Sequence, residues 1–374
     1  MLAGPALDRR SGQSQPVRGR LASLTGLRAV AALLVVGTHA AFATGKLSHG
    51  YVGLVWARLE IGVSIFFALS GYLLFRPWVV AAADGAAVPS TRAYARRRLR
   101  RVMPAYVVTV LVAYGVYTFY STGPNPGQSW SGLIRHLTLT QIYTDNYLLT
   151  YLHRGLSQTW SLAVEAAFYV ALPLLAYVLL VVVCGDRWQP ARLLAGLAGL
   201  AAISPLWLFV LTTTDWLPNS AGMWLPAQLA AFAGGMAVAV LQMMGVRWRA
   251  GLVVPVAVAL FLSTVSVAEP LSKAVLYAVI AMLVVAAPTL AAGGLSDRLL
   301  SSRPMVWLGE ISYEIFLVHV LVMAVVLGAV LGWPLFTGSL AGLYLLTLAV
   351  TIPLAWLLNR LTRVRLGAGA AGPR

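Results

Sequence analysis

Apolar positions run on for about 20 residues at a time through most of this chain, and polar residues gather in the short stretches between. A hydrocarbon core of about 30 Å needs a helix of roughly that length. Ten segments qualify: 24–43, 61–82, 102–121, 159–183, 191–212, 224–245, 250–267, 274–292, 305–331 and 339–358. They lack the period-two alternation of barrel strands, so the runs predict helices. The expected fold is all-α, a polytopic transmembrane helix bundle of about ten spans. The membrane domain is expected over 24–365, between an N-terminal cytoplasmic tail (1–23) and a flexible Gly/Ala-rich C-terminal tail (366–374). One long stretch interrupts the pattern, 122–158, which carries the turn Gly123-Pro124-Asn125-Pro126-Gly127. A loop of that length in a compact membrane protein is functional or packed as a cap.

Composition removes the competing classes. Of 374 residues, 60% are hydrophobic and 10% charged, against roughly a quarter charged in soluble domains. The lone Cys184 has no disulfide partner in the chain. A net charge of +16 invites a nucleic-acid reading, but the basic residues recur in clusters between apolar runs instead of gathering on one motif. That arrangement encodes orientation. With the N-terminus inside, 22 of the 27 basic residues fall on the inner side, including Arg9, Arg10, Arg18, Arg20, Arg28, the run from Arg96 to Arg101, Arg365 and Arg374. The outer side keeps Lys46, Arg58, Arg135, Arg154 and Lys273. Both termini are therefore expected in the cytoplasm of a multi-pass protein of the bacterial plasma membrane. Membrane lipid is its surroundings, and no nucleic acid is a partner.

Few titratable groups fall at membrane depth, where each costs about 2.5–3.5 kcal/mol to insert: His39, Glu165, Glu310, Glu314 and His319. A rise of about 1.5 Å per residue puts His39 about 22 Å above the inner face, Glu165 about 9 Å below the outer face and His319 about 21 Å up. The three are expected at one level, as elements of an oriented general base. Arg28 precedes His39 by eleven residues, three helical turns, so the two share a stripe of the first helix about 16 Å apart. Arg96, Arg97, Arg98, Arg100 and Arg101 form the densest basic patch. It reads both as an orientation signal and as a phosphate clamp, since guanidinium forks bind phosphate bidentately. Trp130, Tyr143, Tyr147, Tyr151 and Trp160 fit a sugar-stacking rim or a membrane aromatic belt.

These residues carry a family resemblance. Leu24-Thr25-Gly26-Leu27-Arg28 through His39 resembles the Arg-x10-His signature of the membrane-bound acyltransferase 3 family. Gly62-Val63-Ser64-Ile65-Phe66-Phe67-Ala68-Leu69-Ser70-Gly71 is similar to its second motif, and Arg98-Leu99-Arg100-Arg101 with Pro104 to its Arg-x-x-Arg…Pro element. Trp160-Ser161-Leu162 with Glu165, Phe168 and Tyr169, and Ser312-Tyr313 with Leu317 and His319, match two more, all in family order. Ser64 stands where many members carry Asp, and Ala166-Ala167 replaces a polar pair.

The resemblance, to a stand-alone integral membrane O-acyltransferase, implies transfer of a short acyl group, acetyl above all, from cytoplasmic acyl-CoA to a hydroxyl of a cell-envelope glycan, glycolipid or macrolide-type metabolite. Arg28, Arg98 and Arg101 would hold the CoA phosphates and nucleotide. His39 would be the base, oriented by Glu165 or His319, with Ser70 and Gly71 as oxyanion donors and Trp160 and Tyr313 toward the acceptor. An acyl-histidine intermediate and direct transfer both remain open. No metal and no permanently bound cofactor is expected. The rival class is a transporter or flippase of a polar lipid or small molecule, which would lack thioester consumption and, here, has no repeated half to support it.

Overall fold

The structure is a computed structural model that describes residues 14–120, 123–291 and 294–363, the side chains of 14–21 and of 250 excepted. Arg9, Arg10, Arg365, Arg374 and the tail over 366–374 lie outside the described residues. Every regular element among the described residues is helical. In chain order they are α1 (Ser14–Ala43), α2 (Gly50–Arg58), α3 (Ile61–Asp84), α4 (Thr91–Phe119), α5 (Trp130–Leu137), α6 (Tyr147–Thr150), α7 (Trp160–Tyr177), α8 (Pro190–Thr213), α9 (Leu225–Met243), α10 (Ala250–Ser263), α11 (Pro270–Leu290), α12 (Leu295–Leu300), α13 (Arg303–Glu310), α14 (Ser312–Val325) and α15 (Leu340–Thr362). Wide π turns extend α7 and α14. Nine helices among the described residues are long and apolar enough to cross a bilayer, and a shorter apolar helix, Gly251–Ser266, occupies the seventh expected span.

Several expected boundaries move, each for a local reason. The second span begins at Gly50, not 61, and is broken at Leu59–Glu60 between α2 and α3. The Glu60 carboxylate at the break is held by Lys273 Nζ at 3.1 Å and by the Tyr277 hydroxyl at 3.2 Å. Arg58 donates to the Thr264 and Val267 carbonyls at 2.9 and 2.7 Å, which ties the break to the turn between α10 and α11. The ninth span is not continuous over 305–331. The helix ends at Glu310 and restarts at Ser312, whose hydroxyl donates to the Gly309 carbonyl at 2.8 Å. α4 starts at Thr91, capped by Ser90 accepting from the Ala93 amide, so the arginine patch is helical.

Without a hydrophobic drive between helices in lipid, close backbone approach sets the contacts. α3 and α9 form the most extensive pair in the bundle. A Cβ added at Gly71 would fall on the Phe232 carbonyl, and one at Gly235 on the Ala68 carbonyl. Gly71, expected as an oxyanion donor, therefore faces a neighbouring backbone, and its role here is packing.

The stretch 123–159 folds as a cap. Gln158 Nε2 donates to the Leu317 carbonyl at 2.6 Å, Trp224 Nε1 to the Ile142 carbonyl at 2.9 Å, and the Tyr147 amide to Ser220 Oγ at 2.8 Å. Inside it, His136 Nδ1–H donates to the Gly132 carbonyl at 2.8 Å. His153 Nε2–H donates to Gln128 Oε1 at 2.7 Å, leaving Nδ1 to accept from the Gly155 amide at 3.2 Å. A proton on that Nδ1 would remove the acceptor.

Burial pushes the His136 imidazole down to about 4, partly offset by the Gly132 hydrogen bond. Burial first, and then neighbouring His136, push His153 down to about 3. Both histidines return to about 6.5 in an unfolded chain, so below that pH the unfolded cap binds more protons than the folded one. Cap stability is complete above about pH 6.5 and declines as pH falls through about 4 toward 3. Hydrogen exchange over 125–156 should accelerate across this window, and a His136→Gln, His153→Gln double variant should flatten the pH dependence.

Candidate active site

Two polar sites sit along the α1 axis. The first is a cavity walled by α1, α3, α4, α7 and α14. Arg28, Ser70, Arg98, Arg101, Glu165, Tyr169 and Tyr313 line it, with Phe66, Phe67 and Phe316 among the apolar residues. Helical spacing divides the arginine patch. Arg98, half-buried, and Arg101, at the exposed rim and three residues on, line the cavity with Val102, while Arg96, Arg97 and Arg100 do not. Arg98 Nε is buried with no hydrogen-bond partner among the described residues. Three guanidiniums against the Glu165 carboxylate leave the cavity with excess positive charge suited to a phosphate-bearing ligand.

Within the cavity the Ser70 hydroxyl donates to Glu165 Oε1, and Tyr169 lies against the same carboxylate. Ser70 was expected to supply an oxyanion donor, but its hydrogen is committed to a carboxylate, a stronger acceptor than a carbonyl. The Tyr313 hydroxyl donates to the Val102 carbonyl at 2.9 Å, tying α14 to α4. Trp160 is not part of the cavity wall. It packs edge-on against Phe67 with ring centres 6.5 Å apart.

The second site is a histidine pair. His319 is fully buried, and its Nδ1 faces the Phe316 carbonyl at 2.8 Å. A carbonyl only accepts, so His319 Nδ1 carries the proton and Nε2 the lone pair. That Nε2 lies 3.3 Å from His39 Nδ1, which also faces the Val35 carbonyl at 2.8 Å. His39 Nδ1–H thus donates to both acceptors, and the lone pair of His39 is on Nε2. Once Nε2 takes a proton, the same two acceptors stabilise the imidazolium. Glu60 is within electrostatic reach.

The expected common level of His39, Glu165 and His319 does not hold. His39 is paired with His319, whereas Glu165 is bound to Ser70 in the arginine cavity, which neither histidine lines. Helix ends in this bundle are not coplanar. α7 starts where Gln158 meets Leu317, already well inside α14. Glu165 is seven residues further inward, about 10 Å, and His319 two residues outward of Leu317, about 3 Å, which separates them by about 13 Å along the axis.

The aromatic rim is also dispersed. Trp130 is exposed, but Tyr147 is buried in the cap and Tyr151 lies under the Arg135 guanidinium at 4.5 Å. In the sequence, Tyr169 stands out only as part of a motif. Its spacing of four from Glu165, which puts both on one helix face, was the signal that it shares the cavity.

The family profile described as an acyltransferase domain, that of the acyltransferase 3 family, matches residues 21–360. The chain belongs to this family and is a multi-pass membrane acyltransferase. Acyltransferase MdmB of Streptomyces mycarofaciens is 32% identical over 371 residues, 91% of this chain and 90% of that protein. Peptidoglycan O-acetyltransferase OatA of Listeria monocytogenes is 26% identical over 324 residues, 79% of this chain but 48% of that longer protein. No solved structure matches the chain.

Proposed function

We propose that this acyltransferase moves a short acyl group, acetyl in the simplest case, from acyl-CoA in the cytoplasm of a bacterial cell to a hydroxyl of an envelope carbohydrate or glycolipid. His39 serves as general base. The observation that carries the reading is that one unbroken helix, α1, places Arg28 in a cationic cavity and His39 in a histidine pair whose Nε2 lone pair is available. Their axial separation is about 16 Å. An extended pantetheine arm, roughly the length of five extended residues, spans about that distance.

Arg28, Arg98 and Arg101 hold the CoA phosphates by charge-assisted forks, and the thioester lies toward the histidines. The acceptor hydroxyl gives its proton to His39 Nε2 as its oxygen attacks the thioester carbonyl. The resulting tetrahedral species expels the CoA thiolate, which recovers the proton from the imidazolium. Val35 and His319 keep His39 in the competent tautomer throughout, the role that the sequence left between Glu165 and His319. Glu165 instead offsets the arginine charge and, with Ser70, shapes the donor cavity. The word peptidoglycan in the name of the Listeria relative, together with O-acetylation, supports a glycan hydroxyl as acceptor.

Arg98→Ala and Arg101→Ala are expected to raise KM for acetyl-CoA by about tenfold or more, with KM for the acceptor little changed. Kinetics on membranes over a range of acetyl-CoA check this. An unchanged KM in both variants would remove the patch from donor binding and leave it an orientation signal. Mass spectrometry of envelope glycolipids from cells with and without the protein should reveal the acyl increment on its acceptor.

A further inference from the structure

Neither histidine lines the arginine cavity, and two aromatic rings stand between it and the pair. Phe66 and Phe316 both line the cavity. Their ring centres are 5.9 Å apart at an interplanar angle of 72°, and the Phe316 ring centre is 5.8 Å from that of His319. Phe66 packs against both of the hydrophobic clusters between which the junction lies, one around α3, α7 and α9, the other around the outer half of α1 with α14 and α15. We propose that Phe66 and Phe316 form the constriction through which the acyl group reaches His39, and that their size sets the longest acyl chain the enzyme accepts. This deepens the acyl-CoA reading and rests on it.

The surroundings explain why these two rings, and not their neighbours, would act as the gauge. Phe67, next along α3, is locked in a stack with Phe232 at 4.6 Å, which stacks in turn on Phe168 at 4.0 Å. That wall of the cavity is fixed. Phe66 and Phe316 meet edge to face, so either ring can turn without unstacking the other. Phe316 is also three residues before His319, on the same helix face. Its backbone carbonyl, not its ring, accepts the His319 Nδ1–H. Trimming the ring therefore widens the passage while leaving the hydrogen bond that fixes the histidine tautomer.

The test measures kcat/KM for acetyl-, butanoyl- and octanoyl-CoA with the full chain in native membranes. One methylene in an apolar pocket is worth roughly 10- to 200-fold. Phe316→Ala and Phe66→Ala are expected to raise the butanoyl-to-acetyl and octanoyl-to-acetyl ratios by about tenfold or more, and Phe66→Trp to lower them. Phe316→Leu, which keeps the packing volume nearly filled, should shift the ratios in the widening direction and carries the test if the alanine variants do not accumulate. Identical ratios in wild type, Phe66→Trp and Phe316→Leu would overturn the constriction while leaving acyl-CoA use intact. Wild-type membranes that consume none of the three thioesters would overturn both readings together.

Discussion

Replacing His39 with alanine is expected to slow acyl transfer by about 10²- to 10⁴-fold, the usual contribution of a positioned general base. The expectation follows from tautomer geometry. Val35 and His319 fix the Nδ1 proton, so the Nε2 lone pair is the one available base of the pair. His39 is only half-buried, and its stripe of α1 is flanked by alanines and valines that pack without it. The variant should therefore insert and elute as a single species in detergent, which size-exclusion chromatography checks alongside the rate. His319→Ala should cost less, because the Val35 carbonyl still holds the tautomer and only the second acceptor of the imidazolium is lost. Equal rates for wild type and His39→Ala would assign the proton transfer to another group.

The second large effect concerns folding. Gly235→Leu is expected to abolish accumulation of folded protein, with a destabilisation of about 3 kcal/mol or more, at or above the top of the usual range for overpacking because the obstacle is backbone. The obstacle at Gly235 is the Ala68 backbone of α3, not the end of a flexible side chain, and Gly71 meets the Phe232 backbone in the reciprocal way. A leucine at either position would force α3 and α9 apart, and with them the Ser70 and Phe66 walls of the donor cavity. Gly199→Leu is the matched control. Nothing lies within 4 Å of a Cβ there, so that variant should accumulate normally. Thermal melts in detergent distinguish the two.

Much of this was legible from the residue pattern, and the parts that were not share a cause. Helical class and nine of the ten expected spans follow from apolar run length, which the bilayer fixes, while the seventh is a shorter apolar helix. The i, i+3 spacing of Arg98 and Arg101 follows from helical geometry, and both do face one cavity. Depth is not legible in the same way, because the ends of the spans are not coplanar in this bundle. Gln158 on Leu317 shows that α7 starts inside the bundle, so Glu165 falls to the arginine level and not to that of His39. The breaks at Leu59–Glu60 and at Ile311 each fall beside a carboxylate, Glu60 or Glu310, but a hydropathy pattern read over some 20 residues does not register so short an interruption of a helix. The pairing of His39 with His319, 280 positions apart, needed the packing of α1 on α14, which no local pattern contains.

The most direct measurement follows radiolabelled acetyl-CoA incubated with membranes containing the protein or its His39→Ala variant, in the presence of cell-envelope material. The account predicts that wild-type membranes release free CoA and carry the label into a base-labile ester, while the variant does neither above background. Label that leaves the medium with its thioester intact, or that is consumed equally by both proteins, would contradict it.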